Sequence, residues 1–193
     1  MAAVARSILA ASLLAAAARA GNIGFGTHGE MAIEWSTDST NITLKVTCNP
    51  PNASDPAYAL AYCAFGVNTN PNASSSMVPA YVWWLGVSSA GAALAVEDRV
   101  IGSFAQPPCA ATQLTRTIEA SYDAASGTLS ALFTRTLLAG PAARAQGYAD
   151  IVNAPLQVLG AVGAKARAAG SCAMSAAEHF FDAKGVALNF LSG

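Results

Sequence analysis

The side chains here that offer metal or redox chemistry are few. Among 193 residues there are two histidines, His28 and His179, and four methionines. Met77 opens the segment MVPAYVWWLGV (77–87), in which Val82, Trp83, Trp84, Leu85 and Val87 suit a pleated, buried surface. His179 lies in AEHFFDAKG, beside Phe180 and Phe181, ahead of the last apolar segment. A thioether is a soft ligand and an imidazole a borderline one. Iron held by one of each is an electron-transfer arrangement in which the sulfur raises the potential. Each residue also has an ordinary reading: methionine fills gaps in cores, and a histidine between aromatics packs or faces solvent. Both Met77 and His179 come just before strand-like segments, which would bring them to one end of a sandwich. The adjacent Trp83 and Trp84 must point to opposite faces of a strand, one to a core and the other to a second apolar surface.

Other chemistries find little support. There is no Gly-x-Ser-x-Gly, and a Ser-His-Asp triad would have to use one of only two histidines. Glu97 and Asp98 are neighbours on a strand and point apart, unlike a glycosidase pair; Glu97-Asp98-Arg99 reads as a solvated strand end. Gly24-Phe25-Gly26 is too short for a nucleotide loop. The chain is therefore expected to carry or bind rather than to make and break bonds.

Positioning these residues falls to short strands. Segment 31–37 (MAIEWST) and segment 42–48 alternate apolar and polar residues and read as a hairpin around a turn at 38–41. The continuous apolar run 58–67 (YALAYCAFGV) reads as a strand buried on both faces, and 68–76 as a polar loop leading to Met77. Further strands are expected at 81–88, 92–96, 99–104, 114–122, 128–137, 156–162 and 186–191. Segment 21–31 is glycine-rich and reads as irregular. So does 140–147; weak helical alternatives exist at 142–148 and at 164–178, neither with a clear apolar stripe. Roughly ten short strands with turn signals between them predict an all-β, immunoglobulin-like antiparallel sandwich.

Residues 1–20 resemble a secretory leader: Arg6, a short apolar run, then Ala18-Arg19-Ala20 as a small-residue cleavage site. The remaining 21–193 is expected to be one secreted domain. Losing Arg6 and Arg19 would leave 8 basic against 11 acidic residues, a net charge of about −3, which disfavours a nucleic-acid partner. No later stretch is long and apolar enough to span a bilayer. Four cysteines in a secreted context point to two disulfides, with three connectivities open. The expected pairs are Cys48–Cys63, flanking one loop, and Cys109–Cys172, which would anchor the loop before His179. Asn41, Asn52 and Asn72 head Asn-x-Ser/Thr glycosylation sequons.

In order along the chain stand AIEWSTDSTNITLKV, AYCAFGVN, MVPAYVWWLGV, EDRVIGSF, TLSALFTRTL, LQVLGAVG and a closing His179-x5-Gly185-x3-Asn189-Phe190-Leu191. This ordered set resembles the DOMON family, extracellular sandwiches named from dopamine β-monooxygenase, over about residues 31–191. Cys63 stands where an apolar residue is usual.

The resemblance implies haem b held by Met77 and His179, as in the haem domain of cellobiose dehydrogenase and the plant auxin-responsive secreted cytochromes. Trp83, Trp84, Tyr81 and Phe180 are the candidate contacts of the cofactor. The expected role is one-electron transfer with a separate redox protein or a small-molecule reductant as partner. The alternative is a haem-free module whose Tyr81, Trp83 and Trp84 stack on a carbohydrate or another small ligand.

Overall fold

The computed structural model describes residues 19–27, 29–55, 58–70, 78–102, 112–163 and 179–192, with backbone alone for 179–185. It is a two-layer all-β sandwich. One five-stranded sheet has the order β1 (Arg19–Phe25), β2 (Met31–Thr37), β3 (Asn41–Cys48), β8 (Thr128–Thr136), β7 (Arg116–Asp123). The second has the order β10 (His179–Leu188), β9 (Leu156–Gly163), β4 (Tyr62–Asn68), β5 (Ala80–Gly86), β6 (Glu97–Ile101). Every neighbouring pair is antiparallel.

Alternation determines which side chains meet between the layers. Met31, Ile33 and Trp35 of β2, Ile42, Leu44 and Val46 of β3, and Leu129, Ala131 and Phe133 of β8 turn inward. From the second sheet come Phe65 and Val67, Tyr81, Trp83 and Leu85, and Val158 and Val162. Trp83 stacks on Phe65 at 5.6 Å between centroids and meets Phe133 of the opposite sheet at 5.8 Å. Each fully buried side chain of this size contributes about 1.5–3 kcal/mol. The Cys48–Cys63 disulfide joins β3 to β4 across the layers, as the loop-flanking spacing predicts. Cys109, Cys172 and segment 164–178 lie outside the described residues.

Four elements differ from expectation. Segment 21–31 is not all irregular: β1 pairs with β2 along its whole length, its glycines made extended by a neighbour rather than by propensity. Gly21 is needed there, because a Cβ would run into the indole of Trp35. Segment 92–96 is reduced to one bridge, Val87 to Ala93. Within 140–147 a short helix forms, α1 (Gly140–Ala145); it follows the positive φ of Gly140 and has a proline in its first turn, where φ is already preset. The last strand starts at His179 rather than at 186, so His179 is a strand residue and not part of the preceding loop.

Candidate functional site

Sheet register decides where the two expected ligands stand. β4 and β9 are antiparallel neighbours, and each is followed by its own antiparallel partner. β5 therefore begins where β4 ends, with Ala80 paired to Asn68. β10 begins where β9 ends, with His179 paired to Gly163, which pairs in turn with Tyr62 and, one strand on, Gly86. His179 and the start of β5 thus occupy opposite ends of the sheet, not one end. Ala80 and Gly86 are six residues apart, about 20 Å of strand. Met77, three residues before Ala80, lies outside the described residues, as do His28 and Asn72; the side chains of His179 and Phe180 are likewise not described.

Between those ends runs the outer face of the second sheet. Tyr62, Ala64 and Gly66 of β4, Ala80, Val82, Trp84 and Gly86 of β5, and Leu159, Ala161 and Gly163 of β9 alternate with the inward residues. Instead of facing water, this side is buried. Tyr62, Ala64, Trp84 and Ala161 form one apolar cluster and Ala80, Val82, Leu159 and Ile101 another, both separate from the interlayer core. Many of these residues are small. At Gly66 a Cβ would collide with the backbone carbonyl of Tyr81 and with Val82, and at Gly163 with the Tyr62 ring.

One end of this face carries polar atoms. Tyr62 stacks on Trp84 at 4.2 Å with an interplanar angle of 21°. The guanidinium of Arg99 lies 5.0 Å from the Trp84 ring centroid, and its Nη2 is 2.8 Å from Glu97 Oε2. Tyr62 Oη and Trp84 Nε1 are both buried and have no hydrogen-bond partner. Burial pushes the Tyr62 phenol up to about 12, so it stays protonated at neutral pH.

Trp83 and Trp84 do split between core and second surface as two adjacent strand residues must. Of the four aromatics expected to contact a cofactor, Trp84 is on the outer face, Tyr81 and Trp83 belong to the interior, and the side chain of Phe180 is not described. Tyr62 went unmarked in the sequence, although its spacing to Ala64 and Gly66 puts it on the Trp84 side of β4.

The Glu97-Asp98-Arg99 triplet is not a solvated strand end: Asp98 and Arg99 are fully buried. As neighbours they point apart, Arg99 to the outer face and Asp98 inward. Asp98 Oδ1 accepts from Tyr81 Oη and Thr115 Oγ1, each at 2.5 Å, and Oδ2 accepts from the N–H groups of Thr115 (2.8 Å) and Leu114. Arg135 of β8 places its Cζ 4.9 Å from the Tyr81 centroid and donates through Nη2 to the Ala149 carbonyl at 2.8 Å. Burial, first, raises the Tyr81 phenol far above its ordinary value; Arg135 opposes the shift and Asp98 adds to it. Four donors occupy the Asp98 carboxylate, which leaves it no lone pair suited to a catalytic base. It fastens residues 113–115 to β5 and β6.

At the Asn68 end, Asn68, Thr69, Tyr148, Asp150 and Leu156 line an open cleft of about 550 Å³, with the Arg144–Asp150 ion pair (3.2 Å) at its edge. Asn41 is partly exposed at the start of β3, and Asn52 is exposed in its loop. Among the described residues no three His, Cys, Asp or Glu cluster as a metal site, and no helix is long and apolar enough to cross a membrane. Compared with known protein families and with curated proteins, the chain matches none.

Proposed function

We propose that this chain is a haem-b-binding sandwich of the DOMON kind that carries one electron, with Met77 and His179 as axial ligands. What supports the reading is the all-β sandwich, together with an apolar outer face on β4, β5 and β9 that is distinct from the core. The donor set fits the group, since a thioether and an imidazole are both ligands of haem iron. When bound, haem would supply a reversible one-electron couple, its potential raised by the sulfur. The chain's own part is to exclude water along this face and to fix two ligands from separate hairpins.

A carbohydrate module would need an open aromatic platform. Tyr81, Trp83 and Trp84 are each at most 2% exposed, and they divide between two faces of β5. The redox partner is a separate protein or a small reductant, and the leader-like N-terminus favours an extracellular setting.

Protein produced with haem available is expected to show a Soret band and a sharp α-band on reduction. His179→Ala should abolish stable haem binding, and Met77→Ala should leave a weakly ligated haem of lower potential. A featureless visible spectrum after full loading sinks the proposal; unchanged spectra and potentials in both variants sink the ligand assignment.

A further inference from the structure

We propose that the free edge of β1 pairs antiparallel with β1 of a second copy of this chain, joining two sandwiches through one continuous sheet. The inference is independent of what the chain binds. Two open sheets have four edge strands, here β1, β7, β10 and β6. An exposed edge offers unpaired N–H and C=O groups to any strand that reaches it. Folded proteins blunt such edges with charge, bulges, short strands or covering groups. Three of these four edges are blunted. β6 has only five residues, led by Glu97, Asp98 and Arg99, and Gln113 covers its outer side. The Asp98 N–H donates to Gln113 Oε1 at 2.7 Å, and the Asp98 carbonyl accepts from Gln113 Nε2 at 3.2 Å. β7 carries Arg116, Glu119 and Asp123 and breaks register between Thr117 and Glu119. β10 includes Asp182 and Lys184 and breaks register between His179 and Phe181 and again between Ala183 and Val186.

β1 has none of these devices. It runs in unbroken register with β2 from Arg19 to Phe25, with no proline and no charge after Arg19. Among the described residues β2 is its one strand partner, and no side chain or loop bonds to its outer edge. Ala20, Asn22 and Gly24 are exposed, while Ile23 and Phe25 pack on the core. The strand is also its own complement. With a two-fold axis through Ile23, Gly21 faces the partner's Phe25 and Asn22 faces the partner's Gly24, small opposite large on each face. Residues two apart share a face, so this register continues the core side with core side and the solvent side with solvent side. No like charges meet within it. Main-chain hydrogen bonds supply the affinity, as in other strand additions. The pairing consumes the free β1 edge of both copies, so it closes at a dimer. Residues 21–25 belong to the chain with or without the leader-like 1–20.

The test is analytical ultracentrifugation of the purified protein over a range of concentrations. It uses wild type, Asn22→Lys with Gly24→Lys, and Asn22→Glu with Gly24→Glu. Both positions are exposed, and a Cβ at Gly24 meets nothing nearer than 3.9 Å, so both variants should fold with thermal midpoints near wild type. Wild type should sediment as a dimer. Each charged variant should dimerise about tenfold or more weakly, because position 22 of one copy faces position 24 of the other and like charges meet. An equimolar mixture of the Lys and Glu variants should recover the dimer, one copy of each, which a merely misfolded variant would not do. Wild type that stays monomeric at the highest concentration overturns the proposal. A dimer that both charged variants leave intact also overturns it, since the interface then lies elsewhere, and so does a mixture that stays monomeric.

Discussion

At the scale of single residues, the clearest contrast with the sequence is Asp98. Three consecutive charged residues look like a hydrated strand end, because local sequence does not reveal what crosses from another strand. The acceptor sites of Asp98 are filled by Tyr81 from β5 and by residues 114 and 115, which lie 16 and 17 positions away. The spacing of Asp98 to Val100 within β6 does put it on the inward side, but only the register with β5 brings it beside Tyr81. A buried carboxylate with four donors cannot be removed cheaply. Asp98→Ala should lower unfolding free energy by about 3–5 kcal/mol, since it leaves the Tyr81 and Thr115 hydroxyls and two backbone N–H groups without their acceptor. Urea unfolding of the variant measures this. A loss below about 1 kcal/mol would match a solvated strand end instead.

At the scale of elements, strands with a strict period were legible and those made by pairing were not. β2, β3 and β8 alternate in sequence and in burial alike, and the continuous apolar β4 and β5 are buried on both faces as such runs imply. β1 is glycine-rich and extended only because β2 holds it. The early start of β10 lies in HFFDAKG, where no alternation marks a strand. The disulfide was legible because its cysteines flank one loop, although its reach from one sheet to the other was not. Closing a separation of 15 residues, it should contribute about 3 kcal/mol on the loop-entropy account. Cys48→Ala with Cys63→Ala should lower the guanidinium midpoint by the corresponding amount without changing the far-ultraviolet circular dichroism of the folded protein. A midpoint equal to wild type would mean that native-state strain cancels the gain.

At the scale of the molecule, the two hairpins β4–β5 and β9–β10 share the antiparallel pair β4–β9 and so begin their second strands at opposite ends. That His179 and the start of β5 lie at opposite ends was not legible, since two segments that both lead into strands look alike until the pairing order is known. A ligand held by His179 would bear on β10 and on its partner β9. Because such a ligand binds the folded chain and not the unfolded one, it must raise stability by RT ln(1 + [L]/Kd), about 2.7 kcal/mol at a free concentration a hundredfold above Kd. For a chain of this length that is a rise in Tm of about 5–10 °C. Scanning calorimetry of apoprotein with and without haemin should show it as a shift of one cooperative transition, because both hairpins belong to one sheet. His179→Ala should lose the shift while keeping the apo midpoint within about 1 kcal/mol of wild type. If haemin shifts the His179→Ala variant as far as wild type, the ligand is held without that residue.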